Sequence, residues 1–228
     1  MYGLSVDANW CPDGVELIEE LSVTPSGATI AGGTVAPGAP QTPGRLVFRH
    51  RTDRRDHVHY EHKSLEKLIV LEFLNARDDE RRLEFFKSYG LTLPLGDILG
   101  YEPRDQVAHN QDQLRLLLQN ANVSPAMAIM TANNIIGATR GAGLLPEWHL
   151  AGQRGAPRVT LKAASLLIFM MMEASMAIAH GAQLATCEQC GTYFLVGKAT
   201  SRRASARFCS DRCRVAAMRA RQAAAMGG

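Results

Sequence analysis

The stretch Cys187-Glu188-Gln189-Cys190-Gly191, followed after an eighteen-residue gap from Cys190 by Cys209-Ser210-Asp211-Arg212-Cys213, decides how this chain is read. Four of its five cysteines stand here as a CxxC and a CxxxC, the spacing of a tetrahedral Cys₄ zinc centre. Two residues between thiolates let one tight turn aim both sulfurs at a single point. Gly191 lets the backbone fold beneath the metal without a Cβ in the way. Ser210 is placed to cap a helix whose first turn carries Cys213. The competing reading is a pair of disulfides. Met1 to Trp10 has neither the basic stretch nor the apolar run of a secretory signal, so a cytoplasmic setting is expected, where thiols stay reduced and take metal. With all four positions filled by thiolates, no coordination site is left for a substrate. One structural Zn²⁺ per chain is therefore expected, folding a segment too short for a core of its own.

Charge is divided unevenly about this stretch. From Cys187 onward, eight basic residues (Lys198, Arg202, Arg203, Arg207, Arg212, Arg214, Arg219 and Arg221) stand against Glu188 and Asp211, while the preceding 186 residues carry 17 basic and 20 acidic side chains. The formal net charge of +3 thus hides an acidic body and a basic tail. A Zn(Cys)₄ centre of net −2 would still leave the tail at about +4. Such asymmetry points to a polyanionic partner, and the eight basic residues are the expected nucleic-acid contacts. On a helix running from Asp211, Val215, Met218, Gln222 and Met226 share one stripe, bordered by Arg212 and Arg219 on one side and by Arg214 and Arg221 on the other. This predicts an apolar seam on the cysteine knuckle with guanidinium groups reaching outward.

These residues carry a resemblance. CEQCG (187–191) and RFCSDRC (207–213), a hairpin-length segment apart, resemble the treble-clef bacterial zinc finger. They are similar to the C-terminal finger of the CGNR/ABATE family of bacterial transcription regulators, and to the small zinc proteins that inhibit DNA gyrase. Upstream, LEKLIVLEFLNARDDE (65–80) and FFKSYGL (85–91) resemble the helical domain of the first family. After Cys213 this chain has Arg-Val-Ala-Ala where that family's motif has Gly-Asn-Arg, so only the four cysteines carry over. The resemblance implies a treble-clef finger and a role in transcription regulation.

At 228 residues and 46% hydrophobic the chain can bury a sizeable core. The most apolar run, Ala163 to Met172, is too short for a bilayer crossing. The expected architecture is mainly α within an α+β class. It has a β-rich N-terminal part (1–62), a helical domain (63–184) and a C-terminal treble-clef zinc finger with a basic helix (185–228). Val15–Val23 and Ala28–Val35 read as strands around a Thr-Pro-Ser-Gly turn, and Ala36–Gly44 as a loop. Arg45–Arg51 and His57–Tyr60 are expected to pair as a hairpin. Helices are expected from Ser64 to Ala76, from Asp78-Asp79 to Gly90, from Pro103 to Asn120, and from Ser124-Pro125 to Thr139. Gly141–Gly155 reads as a loop. Arg158–Gln183 reads as the central core helix, delivering the chain to Cys187 with almost no linker.

Other constellations are weaker. His50, His57, His59 and His62 could be imagined around a second metal, but no carboxylate falls at ligand spacing, and exposed polar histidines are the simpler reading. Arg104 and His109 match the arginine-to-histidine spacing of HEPN ribonucleases, with His109 as general base and Arg104 on phosphate. The methionines Met170, Met171, Met172 and Met176 read as core filling. Glu173, among them, needs a partner if buried. There is no phosphate loop, GxGxxG, nucleophile elbow or HExxH. The leading expectation is a DNA-binding protein that regulates transcription, with enzymatic activity left open. The alternatives are a finger that docks on a protein partner or a second copy, and a metal-independent ribonuclease. No membrane contact is expected.

Overall fold

In the computed structural model, the helices begin and end where short polar signals stop the backbone. The residues described are 3–11, 13–20, 45–51, 56–62, 65, 67–92, 101–121, 123–138, 143–150, 157–198 and 200–226. The Asp78 carboxylate accepts from the Arg81 backbone N–H at 2.8 Å and opens α2 (Asp79–Tyr89), while Gly90 closes it at φ 82°. That is the start and stop expected of an Asx cap and a left-handed terminator. Pro103 precedes α3 (Arg104–Asn120), and α4 (Pro125–Ala138) follows Ser124, whose hydroxyl faces the Met127 N–H. Ser165 accepts from Ile168 and starts α5 (Leu166–Ala179). The basic helix is α6 (Asp211–Met226).

α1 departs from expectation. It covers only Ile69–Asn75, starts after Leu68 and has no side-chain cap of its own. Its first turn is instead completed from a distance, because Glu173 of α5 accepts from the Val70 N–H at 2.9 Å. A carboxylate at a helix N-terminus satisfies an orphan donor and faces the positive end of the dipole. His62 stands 3.5 Å away on the other carboxylate oxygen. This is the partner that Glu173, 1% exposed, requires.

Burial still holds the Glu173 carboxyl above its ordinary range, with His62 and the Val70 N–H pulling the other way. A raised folded-state value favours the folded protein at acid pH, and that contribution is lost as pH rises through the folded value. Glu173→Gln removes this liability but keeps an acceptor, so its stability relative to wild type should climb between pH 4.5 and neutrality. Glu173→Ala leaves a buried N–H unpaired and should cost about 2–3 kcal/mol. Urea midpoints of the three proteins at two pH values check both statements.

Among the described residues the strands form three sheets, in a fold of mixed α+β class with six helices, and strand makes up about 23% of the chain. β1 (Gly3–Trp10) lies inside a four-stranded sheet. It pairs antiparallel with β4 (Asp56–Glu61) and parallel with β7 (Pro157–Ala163), and β7 pairs in turn with β6 (Leu144–Leu150). β2 (Val15–Glu20), β3 (Arg45–His50) and β5 (Tyr101–Pro103) form a second, antiparallel sheet. β8 (Gln183–Thr186) and β9 (Tyr193–Val196) are a separate hairpin. The sheet through β1 and β7 thus crosses the boundary drawn at residue 62.

Three expectations are corrected here. β3 and β4 do not pair with each other. Phe48 of β3 is drawn against Phe86 of α2, ring centroids 5.0 Å apart, while Tyr60 of β4 stacks near Tyr89 and donates to the Ser88 carbonyl at 2.6 Å. The span 158–183 is not one helix, since 157–163 is β7, and 141–155 is not all loop, since it contains β6. Arg158, Thr160 and Lys162 alternate with Val159, Leu161 and Ala163, a period of two that a helix cannot use. The expected strand Ala28–Val35 and the loop Ala36–Gly44 lie outside the described residues.

The main core gathers β1, α1, α2, α3 and α5 around one apolar cluster. α5 is central to it, burying nine of its fourteen residues on all sides, Met170 and Met171 among them. That placement agrees with core filling. Among the described residues, no helix is long and apolar enough to cross a membrane.

Candidate metal centre and its cationic surround

The hairpin β8–β9 turns at 187–192, and that turn is the first cysteine pair. Gly191, at φ 73°, donates to the Cys187 carbonyl at 2.8 Å, closing the knuckle. The second pair comes in on α6, where the Ser210 hydroxyl accepts from the Cys213 N–H at 3.3 Å. The local roles expected of Gly191 and Ser210 are both present. The segment between the pairs is not a hairpin in itself, because β9 pairs back to β8, which precedes Cys187.

The ligand atoms of Cys187, Cys190, Cys209 and Cys213 all lie within 4.8 Å of one another. Three of the sulfurs form a nearly equilateral face, Cys190 to Cys209 3.6 Å, Cys209 to Cys213 3.6 Å and Cys213 to Cys190 3.7 Å. A Zn–S bond of about 2.3 Å in a tetrahedron implies S···S edges of roughly 3.8 Å. Disulfides would draw the sulfurs into pairs at about 2.05 Å. The four cysteines thus form a candidate metal site whose donor set and spacing fit a metal ion.

Their acidities lead to the same need for a cation. The Thr192 hydroxyl, 3.1 Å from the Cys190 sulfur, together with the Thr192 backbone, draws that thiol down to about 6. Burial, and then the neighbouring cysteines, push Cys209 up to about 12. Four sulfurs this close cannot all ionise without a positive charge among them.

Among the described residues this is the one group of histidines, cysteines and carboxylates close enough to hold a metal. The histidines are dispersed. His59 meets Asp7 at 2.7 Å, His50 is buried in the other sheet, and His62 serves Glu173. The side chain of His57 lies outside the described residues.

The basic residues sort into engaged and unengaged. Arg207 grips Glu188 with two nitrogens, one at 2.6 Å, and Arg214 meets Asp211 at 3.1 Å. The two acids of the tail are therefore each occupied by one arginine. Arg202 stacks on Phe194, 5.5 Å to the ring centroid, and donates to the Cys209 carbonyl at 2.7 Å. Among the described residues, Lys198, Arg203, Arg212 and Arg219 have no ion pair. Arg221 feels Glu188 through space. A groove of about 590 Å³ opens along residues 201–214, lined by Arg202, Arg203, Arg207 and Arg214 with Ser210 and one acid, Asp211.

No protein-family model, curated protein or solved structure matches this chain. What can be said of the site rests on its own geometry.

The apolar seam expected on α6 is corrected. Met218 is 52% exposed and Gln222 is exposed, whereas Ala217 is buried. Cys213 must face the other sulfurs, and the residue one turn later on the same face is Ala217, so the cysteine sets the rotation of the helix.

The unit is fastened to the body by two residues that sequence reasoning did not single out. Asn75, at the end of α1, accepts from the Tyr193 N–H at 2.7 Å and donates to the Tyr193 carbonyl at 3.0 Å, behaving like a further strand on the edge of β9. The Arg77 guanidinium lies 4.3 Å from the centroid of the Tyr193 ring and donates to the Gly191 carbonyl. Leu195 joins the main core. Asn75→Ala removes both bonds to Tyr193 and should cost about 2 kcal/mol, read as a loss of hydrogen-exchange protection in 187–196.

Arg104 and His109 are not brought together. Five residues apart on α3, they point about 140° apart around its axis, and Arg104 is committed to Asp79 at 2.9 Å.

Proposed function

We propose that residues 183–226 form a Cys₄ zinc finger of treble-clef type and that this finger binds DNA through its phosphates, as part of a bacterial transcription regulator. The observation that carries the reading is the groove along 201–214, which flanks Cys209 and is lined by Arg202, Arg203, Arg207 and Arg214 against one acid, Asp211. Zinc bound by Cys187, Cys190, Cys209 and Cys213 would supply rigidity alone, since a closed Cys₄ centre offers no open position. The knuckle and the start of α6 would then be fixed, and Arg203, Arg212 and Arg219 would stand on a rigid mount. Arginine suits phosphate because its planar fork donates two parallel bonds. The likeness of 187–191 and 207–213 to the CGNR/ABATE finger supports the same reading.

The test is a gel-shift titration of the zinc-loaded full chain on a labelled duplex at 50 mM salt. Binding that weakens on Arg203→Gln/Arg219→Gln supports the reading. No shift, together with retention of a protein partner on a column of the full chain, would favour protein docking instead. Cleavage of RNA without added metal, lost in His109→Ala, would favour the ribonuclease.

A further inference from the structure

α4 is built inside out. Its core side is Ala128, Ala132 and Ile135, which pack on the main cluster, together with buried Thr131, whose hydroxyl donates to the Met127 carbonyl at 2.8 Å. Its solvent side carries the larger apolar residues. Met127 is 44% exposed, Ile129 63% and Met130 49%, and Val123, in the turn before the helix, is 83% exposed. A surface helix ordinarily turns its bulky apolar side chains to the core and its polar ones to water. Among the described residues, five of the seven exposed large apolar side chains fall between 123 and 136. Apolar residues scattered over a surface need no explanation, but a cluster marks a contact.

The face is continuous. At about 100° per residue, Ala126, Met127, Ile129, Met130, Asn133 and Asn134 fall within an arc of roughly 160°, and all six are exposed. The opposite arc is where α4 meets α3 and α5.

Charge and area decide what covers it. α4 has no charged residue, and the longer stretch 116–139 has none either. An acidic or basic partner therefore finds nothing to pair with. A helix that lies on a membrane surface carries Lys and Arg along its polar face, and this one carries neither. An uncharged apolar patch is matched by another of its kind, and a second copy of this chain supplies one. In a twofold pair the same patch serves both sides. Asn133 and Asn134 would then meet their own counterparts and fix the register, as a buried asparagine does in paired helices. At these exposures Val123, Met127, Ile129 and Met130 present about 400 Å² of apolar surface, the size of a functional patch on an ordinary monomer. Two copies would bury about 800 Å², which at about 60% apolar corresponds to an interface of roughly 1,300 Å². Stable complexes bury about 1,200–2,000 Å².

We infer that the outward face of α4 is a homodimer interface, in which two copies of the chain pair across a twofold axis near Met130. The face shares no residue with the finger, and the pairing does not depend on what the finger binds.

Sedimentation equilibrium of the zinc-loaded full chain, without nucleic acid and up to about 50 µM, reads the pairing, since an interface of this size gives a Kd of micromolar or below. The mass expected at the upper end is twice 24.8 kDa. Ile129→Glu/Met130→Glu brings two carboxylates from each copy into the interface and should weaken pairing at least a hundredfold. Both positions are exposed, and glutamate is a good helix former. Val123→Glu, in the turn at the edge of the face, serves if the double variant fails to fold, and should weaken pairing about tenfold. Met130→Glu and Met130→Lys, each weakly paired alone, should associate more tightly when mixed, because a face that meets itself brings the two charges together. A chain that stays monomeric, a dimer that the α4 variants leave unchanged, or no gain on mixing overturns the inference. A monomer that binds phosphatidylcholine vesicles overturns it too, as does one that retains a different protein on a column of wild type but not of Ile129→Glu/Met130→Glu. Those outcomes would give the face to a lipid surface or to a foreign partner.

Discussion

Cys213→Ser is expected to reduce zinc content from one per chain to near zero and DNA affinity at 50 mM salt by more than about a hundredfold. The size follows from what the metal does. Structural zinc contributes about 10–16 kcal/mol of binding free energy, which in a segment with little core is its folding free energy. The apolar cluster around the sulfurs contains Cys187, Phe194 and Val196 as its buried members, too few to hold α6 in place. Cys213 lies at the joint between α6 and the other three sulfurs, so losing it frees the helix and the arginines along it. The body should survive, because its core is centred on α5 and takes one buried residue, Leu195, from β9, with Tyr193 and Leu184 packed at its edge. Loss of the Tyr193 bonds and of Leu195 burial should cost it about 3 kcal/mol, or roughly 6–12 °C in melting temperature. Metal analysis, a gel shift and a thermal melt of one protein read all three effects. Full zinc occupancy in Cys213→Ser, or unimpaired DNA binding after zinc is stripped, would falsify the reading of the tail as a metal-held unit.

What the sequence discloses here is what is local. The cysteine spacing, the Gly191 turn, the Ser210 cap, Asp78 and Gly90 about α2, and Ser124-Pro125 before α4 each act within a few residues, and each is found where expected. The errors fall where a partner far away in the chain decides. β3 and β4 are adjacent in sequence yet belong to different sheets, because their partners β2, β5 and β1 come from elsewhere in the chain, while Phe48 and Tyr60 both pack on the last turn of α2, at Phe86 and at Ser88–Tyr89. α1 begins late because Glu173, about a hundred residues on, completes its first turn. β7 is a different kind of error, since the alternation from Arg158 to Ala163 was present but ran directly into the apolar run of α5. Asn75 and Arg77 had no signal in sequence at all. An asparagine acting as a strand edge is recognisable only when β9 lies beside it.

Affinity of the full chain for duplex DNA should fall by a factor of about 300 to 1,000 between 50 and 200 mM salt. Four to six neutralised phosphates at about 0.9 each give a slope of log K against log salt near −4 to −5. The ion pairs decide which substitutions move that slope. Arg203 and Arg219 have no carboxylate partner among the described residues, so replacing either by glutamine should flatten the slope by about 0.9. Arg207 is held by Glu188, and its guanidinium keeps that carboxyl below its ordinary range. An arginine already paired releases fewer counterions when it meets a phosphate. Glu188→Gln should therefore act in the opposite sense, releasing Arg207 and relieving the pull on Arg221, so that binding tightens and the slope steepens by up to about 0.9. A gain of affinity from removing an exposed acid next to Cys187 is an outcome that a protein-docking surface gives no reason to expect. A slope that stays flat in wild type, or that Glu188→Gln leaves unaltered, would mean that these arginines face something other than a chain of phosphates.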